Sequence, residues 1–60
     1  MRIKLVGALP EQLRDMGFKT GDKHEAYPSE NTKLGAVEIK VMIDGQQSVA
    51  TVYPENFIKC

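Results

Sequence analysis

Apolar and polar residues alternate most cleanly in two places along this chain. In "AVEIKVMID", Val37, Ile39, Val41 and Ile43 fall on the inner side of an extended strand, and Glu38, Lys40 and Met42 on the outer side. In "MRIKLV", Ile3 and Leu5 face one way and Arg2 and Lys4 the other, the pattern of a half-exposed strand. Asp44-Gly45 after the longer strand is a hairpin signal, and "SVATV", residues 48 to 52, returns as its partner. A two- or four-residue connection turns Ala50 and Val52 inward. A three-residue connection with a bulge turns Val49 and Thr51 inward instead, so the pattern leaves both registers open.

Between these strands the period changes. Leu9, Leu13 and Met16 recur at helical spacing, with Pro10 at a first helical position and Gly17 at a stop, which predicts one short helical segment near residues 10–16. So short a helix persists only if packing holds it. Lys19 to Asp22 reads as a turn, Lys23 to Tyr27 as a short strand, and "PSENTKLG", residues 28 to 35, as a solvated loop. The chain closes on "VYPENFIKC", in which a strand-like Val52 runs into Tyr53-Pro54, a polar pair and an apolar pair. About five short strands separated by turn signals predict a mainly β domain over residues 1–60, a compact antiparallel barrel or sandwich. Closure into a barrel would keep strand edges from pairing with other chains.

Size and charge narrow the function. Sixty residues form at most one small domain. Such a chain buries only about 60% of the surface its unfolded form exposes, which leaves no room for a deep substrate pocket beside the core. Apolar residues at 42% and charged residues at 27% fit a folded globule rather than a disordered tail. Eight basic residues balance eight acidic ones, which argues against binding driven mainly by phosphate neutralisation. A local basic patch from Arg2, Lys4, Lys19 and Lys23 is the sequence basis for nucleic-acid binding as the alternative. The single cysteine, Cys60, permits no internal disulfide and points to a reducing compartment, hence a cytoplasmic location. The opening residues show no signal-peptide pattern, and no stretch has the length of a membrane span.

Two segments carry a resemblance. "FKTGDKHEA" resembles the part of Src-homology-3 domains in which an apolar residue, a turn and Gly-Asp precede a strand. "VYPENFI" is similar to that family's closing signature, where Pro, a variable residue, Asn and an aromatic form a helical turn before the last strand. With "VEIKVMIDGQQSVATV" as the central hairpin, the order of parts matches over roughly residues 18 to 59. The resemblance implies a small five-stranded antiparallel Src-homology-3-like barrel, with Pro54, Asn56 and Phe57 on a peptide-binding surface and Ile58 re-entering the core. The chain departs from the family in having no Trp, no aromatic in "KLVGA", and Phe57 where the family carries a tyrosine. These departures count against proline-rich peptides as the ligand. The chain also resembles small proteins encoded by tailed phages and prophages, which implies a host factor as the partner.

Candidate chemistry is sparse. His24 has Asp22 and Glu25 nearby, but a metal centre wants three or four convergent ligands, so His24 is expected to be a solvated surface residue and no metal is expected. Cys60 lacks a base and an orienting partner. There is no phosphate loop, nucleophile elbow or paired-carboxylate motif, so neither catalysis nor a cofactor is expected. Phe18 is expected in the core. Tyr27 and Tyr53 each precede a proline, which favours extended backbone, and each either caps the barrel end or offers an amphipathic face to a partner. The expected function is a non-enzymatic protein-binding or adaptor module acting through Tyr53, Pro54, Asn56, Phe57 and Tyr27. The alternatives are the nucleic-acid-binding barrel and a structural, self-associating component. No membrane partner is expected.

Overall fold

In the computed structural model, residues 1–30 and 35–60 are described. The chain is mainly β, with β1 (Arg2–Leu5), a short helix α1 (Glu11–Asp15), β2 (Lys23–Glu25), β3 (Tyr27–Pro28), β4 (Val37–Ile43), β5 (Gln46–Val52), a 3-10 turn (Pro54–Asn56) and β6 (Phe57–Lys59). Part of the expected loop at 28 to 35 lies outside the described residues.

The strands form two antiparallel sheets of three, ordered β2-β1-β6 and β3-β4-β5. The expected five-stranded barrel is therefore corrected in two respects. The second strand is broken into β2 and β3 at Ala26, which is fully buried and whose N–H donates to the Met1 carbonyl at 2.7 Å. There the chain leaves one sheet for the other, as strands do at sheet corners. In addition, no ladder joins β5 to β6 among the described residues, so no barrel closes. The 3-10 turn after β5 redirects the chain, and β6 pairs with β1 instead.

The hairpin register follows from its turn. Asp44 and Gly45 have φ of 51° and 78°, the left-handed pair of a two-residue hairpin turn that glycine and aspartate tolerate. Ile43 then faces Gln46, and the ladder runs back through Ile39↔Ala50 to Val37↔Val52. Ala50 and Val52 point inward, and β5 begins at Gln46 rather than residue 48.

One core cluster joins both sheets: Ile3 and Leu5 from β1, Val37 and Ile39 from β4, Ala50 and Val52 from β5, with Leu9, Leu13, Phe18 and Ala26. The expected inward set of β4 runs out along the strand. Val41 is only partly buried and Ile43 is 42% exposed, so the covered face stops short of the hairpin tip. Helix α1 starts at Pro10, whose carbonyl accepts from Leu13 and Arg14 at 3.0 and 3.1 Å. It ends at Gly17, where φ of 93° lets the Phe18 N–H reach back to the Leu13 carbonyl at 3.1 Å. Leu9 and Leu13 thereby face the core, and Met16 packs at its margin.

Candidate functional site

The closing segment places its residues in two groups. Tyr53 is 42% exposed and Pro54 is exposed beside it. Pro54 opens the 3-10 turn, where its fixed φ suits the first position, and the Asn56 N–H closes it on the Tyr53 carbonyl at 2.9 Å. Tyr27 is 45% exposed on β3, which pairs with β4 in the sheet whose last strand, β5, ends at Val52 just before Tyr53. Its partner across the ladder is Glu38, and the ammonium of Lys40 lies 4.7 Å from its ring centroid. That cation–π contact holds the ring over the outward side of the sheet. Tyr27, Tyr53 and Pro54 are thus each open to solvent.

Asn56 is not open in this way, which corrects the expectation for it. It is buried, and its side-chain Nδ2 donates to the Val6 carbonyl at 3.2 Å and the Ala8 carbonyl at 3.1 Å. The Val6 N–H returns a bond to the Asn56 carbonyl at 2.9 Å. Between the two carbonyls it holds, that of Gly7 accepts from the Thr20 hydroxyl at 2.6 Å. Every carbonyl from Val6 to Ala8, a segment outside any ladder, is thus satisfied by a side chain from a distant part of the chain. Asn56 is a clamp between the 3-10 turn and the exit of β1, and a partner has no access to its amide.

Ile58 is arranged opposite to the expectation that it re-enters the core. Phe57 is half-buried and packs against the core, whereas Ile58 is 52% exposed. The register explains this. Ile58 faces Lys4 and Phe57 faces Leu5 across β1, so each shares the side of its partner. Lys4 is exposed and Leu5 fully buried.

The same register gathers part of the basic set. Lys4 stands directly opposite Lys23, and Arg2 opposite Glu25, on the outer face of the first sheet. Lys19 lies instead in the turn before β2, where its N–H donates to the Asp22 carboxylate at 3.0 Å. With Arg14, Ala8, Leu9, Phe18 and Thr20 it lines a shallow, open depression of about 330 Å³.

His24 is the other correction. It faces Ile3 and shares its inward side, with its ring meeting Phe18 edge-on at 4.9 Å between centroids. Its Nε2 is buried without a hydrogen-bond partner, 3.9 Å from the Asp22 carboxylate. Strand parity puts it there, because Lys23 and Glu25 occupy the outward positions. Among the described residues no group of three or more His, Cys, Asp or Glu is placed to hold a metal ion. Cys60 is exposed. No helix among them is long and apolar enough to cross a membrane. No family model, curated protein or solved structure matches the chain.

Proposed function

We propose that this chain is a non-enzymatic protein-binding or adaptor module of Src-homology-3-like build, and that Tyr27, Tyr53 and Pro54 form its recognition surface. The observation that carries the reading is the exposure of both tyrosines, at 45% and 42%, while Phe18 and Phe57 pack into or against the core. An exposed tyrosine offers a large, rigid contact area with a polar tip, the kind of side chain that anchors protein interfaces. Pro54 and the Lys40-backed ring of Tyr27 lower the ordering cost of that surface. The 3-10 turn before the last strand and the long β4–β5 hairpin support the Src-homology-3-like reading, with the second strand bent at Ala26. The buried Asn56 and the part-buried Phe57 set a smaller surface than the resemblance implies. The partner class is another protein, and the phage resemblance favours a host factor.

One observation favours a second reading, nucleic-acid binding. Lys4 and Lys23 face each other across a ladder, an arrangement that costs stability without a compensating anion, and Arg2 adjoins them. The two readings separate in one experiment. Immobilised protein is used to capture partners, and oligonucleotide binding is measured at low and high salt. The proposal expects Tyr53→Ala and Tyr27→Ala to lose the captured protein, and a Lys4→Glu/Lys23→Glu double variant to keep it. Salt-sensitive oligonucleotide binding that the double variant abolishes, with capture indifferent to both tyrosines, would establish the second reading instead.

A further inference from the structure

The edges of the two sheets are not protected alike. A strand edge is a row of free N–H and C=O groups, and proteins blunt it with proline, charged side chains or a bulge. Pro28 stands in β3, Lys23 and Glu25 in β2, Lys59 in β6, and Lys40 on the part of β4 beyond β3. β5 reads Gln-Gln-Ser-Val-Ala-Thr-Val, with no charge, proline or glycine over its whole length.

Ladder parity identifies which of its groups are free. The Ser29 N–H donates to the Ala36 carbonyl at 3.1 Å, and Tyr27 pairs with Glu38, so even-numbered residues of β4 direct their backbone groups toward β3. Its odd-numbered residues therefore bond β5, through Gln46, Ser48, Ala50 and Val52. Gln47, Val49 and Thr51 direct their N–H and C=O groups away from β4, and no backbone partner receives them among the described residues. All three residues are exposed, Val49 by 47%.

We propose that β5 is a self-association edge, taking β5 of a second copy of this chain in antiparallel register about a two-fold axis at Val49. The occupant follows from the symmetry of the strand. Val49 is the midpoint of Gln46–Val52, and it is also one of the residues whose backbone groups face outward. Rotation about it sets Val49 against Val49 and Gln47 against Thr51, so that each free N–H meets a free C=O. Ser48 falls beside Ala50, and no like charges oppose, because β5 carries none and the formal net charge of the chain is zero. Such an isologous contact closes on itself and joins two three-stranded sheets into one of six. It is separate from the recognition reading above, which does not depend on it.

Sedimentation equilibrium over a concentration series, with amide exchange read at Val49 and Thr51, tests this. The expected result is twice the chain mass at high concentration, with slower exchange at those two amides as the dimer fills. Val49→Pro removes the central N–H at an edge position where proline is tolerated. Val49→Lys sets two cations against each other on the axis through an exposed side chain. Both variants are expected to be monomeric, with Val49→Lys keeping the β circular dichroism of the parent even if Val49→Pro does not. Met42→Lys, on the outer face of the neighbouring strand, is expected to dimerise as the parent does. A parent that stays monomeric up to millimolar concentration overturns the proposal, whether or not it takes up an unrelated extended peptide on β5. So does a dimer that a folded Val49→Lys variant leaves unchanged.

Discussion

Asn56 shows how much one side chain can decide in a small domain. Its amide answers two carbonyls some fifty positions earlier in the chain, at Val6 and Ala8, in a stretch where no strand could supply donors. Replacing it with Ala leaves two part-buried carbonyls without their donor, so Asn56→Ala is expected to lose about 1–3 kcal/mol in chemical denaturation. Asn56→Asp is expected to lose at least as much, since a carboxylate has no N–H to give. The turn itself was legible in the sequence, from proline's fixed φ and the polar residues that follow it. The clamp was not, because a hydrogen bond between positions this far apart leaves no local pattern. His24 departs from its expected surface position for a related reason. Its strand parity was visible, but Phe18 as the ring it meets belongs to a different element.

At the scale of elements, alternation identified the faces of β1 and β4 and misjudged where a face stops being covered. The alternation of Val37, Ile39, Val41 and Ile43 is unbroken, yet only the first two are buried. Nothing in the strand's own sequence records that the covered face stops short of the hairpin tip. At β6 the expectation put Ile58 in the core, since a three-residue strand has no alternation long enough to fix its register without β1. These placements make a graded prediction. Ile39→Ala is expected to cost about 2–5 kcal/mol. Ile43→Ala and Ile58→Ala, at exposed positions, are expected to change stability by no more than about 0.5 kcal/mol. Urea midpoints of the three variants at equal slope check the series. Equal losses at Ile39 and Ile58 would mean that β6 pairs in the other parity. Asp44-Gly45 signalled the hairpin in the sequence, but its register stayed open until the positive φ at both positions fixed a two-residue turn.

The molecule as a whole divides its labour between an inside and an outside along one short segment. From Val52 to Ile58 the chain alternates between holding the fold and facing solvent. Val52 and Asn56 are buried, Phe57 is part-buried, and Tyr53, Pro54 and Ile58 are open. The proposed adaptor role rests on that division, with Tyr53 free to meet a partner because Asn56 secures the turn beneath it. The most direct measurement compares Tyr53→Ala with Asn56→Ala, by thermal melting of each variant and by partner capture at matched folded concentration. The account predicts that Tyr53→Ala melts within a few degrees of the parent and loses capture, as hot-spot aromatics do. Asn56→Ala should melt clearly lower, while its folded fraction still captures the partner. A Tyr53→Ala protein that unfolds, with capture by its surviving folded fraction unchanged, would contradict the account by making Tyr53 part of the scaffold.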